Sequence, residues 1–251
     1  MRYTDAPARR ESLLARLTTS GYVSSADVAA ELDVSEMTIR RDLRRLAEDG
    51  LARRVPGGAS LPDGAPGGEP FEVRVTEAAR EKQRVAQAAA TLLDDVSTVA
   101  LDAGTTVAAI VDLLPEGVSV VSHSMPVIAA CTAAGLDVMA LGGFYEPATR
   151  SFTGPSTWRS AGEQAVDVAV LSCTAIDAGG AWSANPVDAE IKRALVGAAR
   201  RVVVLADGHK VGARSRVRFA APDDVDVLVT DAAAEALRPL RSAYREVLGA
   251  D

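Results

Sequence analysis

Short valine-rich runs alternating with helical patterns constrain the fold of this chain more than any other feature. The runs at 98–101, 118–121, 137–141, 166–171, 201–205 and 225–229 are largely apolar without a polar face, as in strands buried on both sides. Between and beyond them, apolar residues recur at helical spacing from residue 76 (Val85, Ala88, Ala89, Leu92) and over 105–114, 126–134, 189–199 and 232–248. Such alternation implies a mostly parallel sheet covered by helices on both faces. A doubly wound α/β domain is therefore expected over 76–251.

Wound sheets bind ligands beyond the carboxyl ends of their strands, and small polar residues collect there in this chain. Asp102-Ala103-Gly104-Thr105-Thr106 follows the first run. Its glycine permits close backbone approach, its two threonine hydroxyls can donate, and a helix start favours an anion. Ser122-His123-Ser124 follows the second run, Gly142-Gly143 the third, and Asp207-Gly208-His209-Lys210 the fifth, adding a cation. His123 by itself reads equally well as a histidine satisfied by a local hydrogen bond. Four clusters at equivalent positions point to a small phosphorylated ligand, with Lys210 neutralising the phosphate and Asp102 or Asp207 binding sugar hydroxyls.

The first sixty residues follow a different pattern. Leu13, Leu14 and Leu17 mark one helix, and Val28, Ala29 and Leu32 the inner face of a second over 24–32. Asp33-Val34 makes a tight turn, after which Ser35 can cap a third helix and Glu36 suits its positive start. In that helix Ile39, Leu43 and Leu46 form the apolar stripe; Met37, Thr38, Arg41, Arg44 and Arg45 lie opposite, with Arg40 on the flank. Two helices joined by so short a turn, the second faced with arginine, form a helix-turn-helix, and such a face suits a DNA major groove. Asp49-Gly50 ends the helix, 51–55 reads as a strand, and Pro56-Gly57-Gly58 turns it back as a wing that lets Arg53 and Arg54 reach phosphates. Pro62, Gly64, Pro66, Gly67, Gly68 and Pro70 then exclude a regular element. The expected organisation is a winged helix-turn-helix over 5–60, a linker over 61–75 and the α/β domain over 76–251.

Residues 9–59 resemble the DNA-binding domain of the DeoR family of bacterial transcriptional regulators. The resemblance rests on Val34-Ser35, Thr38-Ile39-Arg40-Arg41-Asp42-Leu43 and Gly57-Gly58-Ala59, with Pro56 where the family usually has His. The later half resembles the family's sensor domain at Leu101 to Thr106, Leu141-Gly142-Gly143, Glu190-Ile191-Lys192-Arg193-Ala194 and Leu205-Ala206-Asp207 with Lys210. This adds Glu190 to the expected effector residues and implies a fold similar to ribose-phosphate isomerases and CoA transferases. His123 stands where the family commonly has Asn, Gly208-His209 replaces a Ser-Ser pair, and Trp182 in the 179–182 loop is unusual. The resemblance implies a repressor of sugar or related carbon catabolic genes that leaves operator DNA on binding a phosphorylated intermediate.

Charge is compatible with that reading only through its distribution. The net charge is −7, yet residues 1–60 hold ten arginines against nine acidic residues, leaving 17 basic against 25 acidic for the rest. DNA affinity must come from local arginine placement, not bulk charge. No run is long and apolar enough to cross a bilayer and the amino end lacks a signal-peptide core, so a cytoplasmic protein with no membrane partner is expected. Cys131 and Cys173 match no metal or redox spacing and read as small buried hydrophobes; neither a cofactor nor a metal is expected. Two recognition helices about one DNA turn apart imply a homo-oligomer, dimer or tetramer. A rival reading is an isomerase-like sugar-phosphate enzyme with an accessory DNA-binding domain. Asp102, Asp177, Glu190 and Asp207 offer carboxylates, but no separate catalytic signature appears and no catalytic residue is expected. A protein-binding module that uses the wing for partners is a second rival.

Overall fold

The computed structural model describes residues 6–20, 22–55, 57–60 and 71–250. They fall into two compact units, 1–77 with 147–149, and 78–146 with 150–251.

The smaller unit runs α1 (Ala6–Ser20), β1 (Tyr22–Ser24), α2 (Ser25–Leu32), α3 (Glu36–Glu48), β2 (Arg53–Val55), β3 (Gly58–Ser60) and α4 (Phe71–Thr76). The expected three helices and wing are present. One strand was not anticipated: β1, in the segment expected only to link helices, pairs antiparallel with β3, so the wing hairpin becomes a three-stranded sheet in the order β1-β3-β2. Most of the expected linker, 61–70, lies outside the described residues, as does Pro56, but 71–75 is corrected: it is helical, and Thr76 ends a helix instead of opening one.

Helix α3 forms where its caps dictate. Asp33 takes a left-handed φ of 52° to end α2, and the Ser35 side chain accepts from the Thr38 amide at 3.2 Å to start α3. Ile39, Leu43 and Leu46 are buried against Leu13, Leu17, Val28 and Ala29. Each such side chain contributes about 1.5–3 kcal/mol, whereas an exposed, solvent-screened pair such as Arg40 with Glu36 contributes little. The apolar stripe therefore holds the helix, and its arginines are left for other work. The exception on that helix is Asp42, buried and bonded to the buried Arg9 of α1 at 2.5 Å, with Arg10 at 3.7 Å.

The larger unit continues with α5 (Ala79–Ala90), β4 (Thr98–Leu101), α6 (Thr105–Ala108), β5 (Ser119–Ser122), α7 (Met125–Ala133), β6 (Asp137–Ala140), β7 (Phe144–Glu146) and β8 (Ser151–Thr153). Then come α8 (Pro155–Gly162), β9 (Val166–Ser172), β10 (Ala175–Asp177), β11 (Gly180–Ser183), α9 (Pro186–Ala198), β12 (Ala199–Ala206), β13 (Val217–Ala220), β14 (Val227–Thr230), α10 (Ala234–Ala243) and β15 (Val247–Gly249). Seven strands form one sheet in the order β15-β14-β12-β9-β4-β5-β6, every neighbouring pair parallel. Along β12, Val202, Val204 and Ala206 enter one core while Val203 and Leu205 enter the other. Burial on both faces is why these runs are continuous in valine. Strand order reverses between β4 and β9, which makes their carboxyl ends the switch point.

Several expectations need correction. The 105–114 helix is a four-residue α6 followed by a short 3-10 turn at Val111–Leu113. The 232–248 helix ends at Ala243, and its tail becomes the edge strand β15. Trp182 lies in β11, within a small antiparallel sheet ordered β10-β11-β13, not in a loop.

Asp42→Ala would remove the buried carboxylate that faces Arg9 and Arg10 and should cost about 3–5 kcal/mol, read as an earlier denaturation midpoint of the amino-terminal unit. Arg9→Met with Asp42→Leu should recover most of the loss; a single-variant cost below about 1 kcal/mol would show that the pair does not anchor α3.

Candidate functional site

On α3 the expected DNA-facing residues are outward. Met37 is 64% exposed, Arg40, Arg41, Arg44 and Arg45 are exposed, and Thr38 is half-buried with its hydroxyl 2.8 Å from that of Ser35. Arg40 is tied to Glu36 at 2.7 Å, while Arg44 and Arg45 flank Glu48 at 3.9 and 3.2 Å. Arg41 has no acidic partner among the described residues. Arg54 on the wing strand is exposed and Arg53 half-buried.

Ser25 went unnoticed in the sequence. It is fully buried at the start of α2; its hydroxyl lies 2.7 Å from a Glu36 carboxylate oxygen and 3.0 Å from the Gly57 carbonyl, and its amide donates to that carbonyl at 2.8 Å. The first turn of α3 and the turn of the wing thus share one anchor. Together with the Arg40 guanidinium, the Ser25 hydroxyl holds the Glu36 carboxyl below its ordinary pKa.

In the larger unit, Asp102 lies at the switch point and is fully buried. The Gly104 amide donates to one carboxylate oxygen at 2.8 Å, the Ser172 amide to the other at 3.0 Å, and Lys192 of α9 forms a close ion pair with it. Burial pushes the Asp102 pKa up, but the Lys192 ammonium and the two amides outweigh it and hold the carboxyl below its ordinary value. Burial likewise opposes the charge on Lys192, and Asp102 and Asp188 overcome it. Gly104 is required here for a reason other than ligand approach. A Cβ there would lie 2.0 Å from the Ser172 hydroxyl oxygen.

Asp188, Lys192 and Ser172 were therefore missed, and Glu190 was misplaced. Asp188 and Lys192 stand one helical turn apart on the inner face of α9, 3.7 Å from each other, while Glu190 points outward and pairs with Arg193 at 2.6 Å. The signal was present: a lysine four residues after an aspartate, flanked by Ala189, Ile191 and Leu195, all buried.

Other expected residues separate into braces and open groups. The Ser122 hydroxyl donates to the Leu101 carbonyl at 2.7 Å and accepts from the Ser124 amide at 3.1 Å, so it is a brace. Gly142 and Gly143 are exposed; the Gly142 carbonyl accepts from Thr157, and a Cβ on Gly143 would collide with Thr157 and Thr153. Packing thus requires a glycine at 143, whereas a Cβ on Gly142 would meet nothing within 4 Å. Lys210 pairs with the buried Asp207 at 3.0 Å and is itself half-buried; Thr105 is buried. In contrast, Thr106 Oγ1, His123 Nε2 and Ser124 Oγ are buried polar atoms with no partner among the described residues. An unsatisfied buried group costs about 1–3 kcal/mol, so these three, one on α6 and two just past β5, call for polar partners. The four-residue α6 is too short to lend a helix dipole.

Cys173, just past β9, and Cys131 have thiols pushed up to about 11 by burial, consistent with small buried hydrophobes. Among the described residues no cluster could hold a metal ion, and no helix is long and apolar enough to cross a membrane.

A family model described as the DeoR C terminal sensor domain matches residues 77–232, and one described as the DeoR-like helix-turn-helix domain matches 9–64. The chain belongs to the DeoR family. It is 31% identical over 255 residues to a putative aga operon transcriptional repressor of Escherichia coli, covering 98% of this chain and 95% of the relative. An L-fucose operon activator of Haemophilus influenzae is 30% identical over 89% of this chain and 91% of its own. The repressor GlcR of Bacillus subtilis is 30% identical over 89% and 87%. A solved D-ribose-5-phosphate isomerase covers 53% of each chain with a TM-score of 0.40 and 17% identity. This DeoR-family protein is thus a DNA-binding transcriptional regulator with a sensor domain, not an enzyme.

The buried pair of this DeoR regulator has a definite pH signature. The Asp102 contribution is present above the unfolded carboxyl pKa near ~3.9 and is lost as pH falls through the lower folded value. In Lys192→Met, burial dominates Asp102 and its folded pKa should rise above the unfolded one, so stability should fall as pH rises from about 4 to 7. Urea midpoints across that range read the slope; a variant with the wild-type sign would show that Lys192 does not set the Asp102 charge.

Proposed function

We propose that this regulator represses genes of sugar or related carbon catabolism in the cytoplasm, and that a small phosphorylated metabolite binding at the β4–β9 switch point releases it from operator DNA. The observation that carries the effector reading is that three buried polar atoms, on Thr106, His123 and Ser124, have no partner among the described residues, with His123 within electrostatic reach of the Asp102–Lys192 pair. Relatives named as repressors support repression. Both lysines are already paired with carboxylates, so the phosphate is received by Thr105, Thr106 and Ser124 donors, with Lys210 turning from Asp207 to meet it.

At the DNA, Arg41 reads base edges, Thr38, Met37, Arg44 and Arg45 flank it, and Ser35, Arg40, Arg53 and Arg54 address the backbone. Two such heads are needed for paired half-sites, and a second copy of the chain supplies the other. The surface offered to it is on the sensor unit, where Met139 of the edge strand β6, Met125 of the adjacent α7, and Phe144 and Tyr145 are exposed. The effector acts by preferring one arrangement of the assembly; equal affinity for both would shift nothing.

Fluorescence anisotropy on DNA from upstream of the regulator's own gene tests the reading. Arg41→Ala should weaken binding by about 1–3 kcal/mol, and wild-type affinity should fall steeply with salt. Lys210→Ala should bind DNA normally but respond poorly to phosphorylated sugars. Unchanged affinity in Arg41→Ala removes that residue from the reading face, and salt-insensitive binding removes the phosphate contacts.

A further inference from the structure

His123 has one ring nitrogen committed and one open. Nδ1 lies 3.0 Å from the Phe152 carbonyl oxygen. A carbonyl only accepts, so Nδ1 carries the proton. The same two residues are joined a second time, the Phe152 amide donating to the His123 carbonyl at 2.8 Å, so strand β8 fixes the ring's backbone as well as its tautomer. The ring is fully buried, and burial works against its protonation more strongly than Asp188 and Asp102 favour it. In a neutral ring protonated at Nδ1, Nε2 is a bare acceptor. It is also buried and without a partner among the described residues.

Resting on the reading above of this cluster as the effector site, we propose that His123 Nε2 is an acceptor that selects effectors presenting a hydroxyl or amine donor to it and excludes a phosphate oxygen. A phosphate oxygen would set lone pair against lone pair, beside two carboxylates, Asp102 and Asp188, that share the single cation of Lys192. The effector therefore presents a hydroxyl or amine to His123 Nε2, while its phosphate, held by the hydroxyl donors and Lys210 as above, is turned away from that nitrogen. A site built to bond a substrate hydroxyl rejects the analogue lacking it far better than an apolar pocket rejects a methylene. An asparagine amide here would offer donor and acceptor alike, so the histidine narrows the choice of ligand.

The chain contains two histidines, so His209→Gln leaves a single ring for nitrogen-15 spectra of the full-length protein. At pH 7 Nδ1 should resonate as protonated and Nε2 as unprotonated; a proton on Nε2 overturns the proposal with or without ligand. Thermal-shift titrations then use inorganic phosphate, glucose 6-phosphate, glucosamine 6-phosphate, 2-deoxyglucose 6-phosphate and the unphosphorylated sugars. His123→Phe should weaken the sugar phosphate that binds wild type by about tenfold or more, His123→Gln should weaken it less, and neither should change inorganic phosphate binding. Equal sugar-phosphate affinity in wild type and His123→Phe overturns the proposal. Stabilisation by free sugars alone, lost in His123→Phe, would support the acceptor and sink the phosphorylated-effector reading; no response to any compound would sink both.

Discussion

The ion pair between Asp102 and Lys192 is the constraint on which the sensor unit turns. Removing two charges from water costs several kcal/mol per ion, and such a pair persists only where further hydrogen bonds satisfy it. Here the amides of Gly104 and Ser172 do so, which joins the ends of β4 and β9 and the inner face of α9 at one carboxylate. That arrangement dictates the glycine at 104, since any side chain would occupy the space of Ser172. It also removes Asp102 and the Gly104 amide from the set free to meet a ligand. The groups left over, on Thr106, His123 and Ser124, are neutral.

A similar economy operates in the amino-terminal unit. The only acid of α3 taken into the interior is Asp42, and Arg9 and Arg10 of α1 answer it. With the helix fastened by that pair and by its aliphatic stripe, four of its arginines stay exposed. A chain of net charge −7 can address a polyanion because the basic groups sit on one face of one helix, within a Debye length of whatever it touches.

Much of this was legible in the sequence. Valine runs placed β4, β9 and β12 because burial on both faces leaves no room for alternation, and the cap at Ser35 with the turn at Asp33-Val34 placed α3. Short elements escaped, since β1, β10 and β15 have only three residues each and owe their existence to a neighbouring strand. At the site, residue type was easier to read than direction. Asp102, His123 and Asp207 follow strands and so had to lie at the sheet's edge, whereas Glu190 and Lys192 share a helix and only packing reveals which faces inward. Asp42, inside a run of arginines, was given no face from the sequence, and only packing shows that it turns inward.

The hydroxyl of Ser25 reaches both the carboxylate that opens the recognition helix and the carbonyl at the tip of the wing. The first turn of α3 and the turn of the wing are consequently hinged on one small side chain. A change of size at residue 25 would shift both at once, whereas substitutions on the exposed face of α3 leave that joint intact.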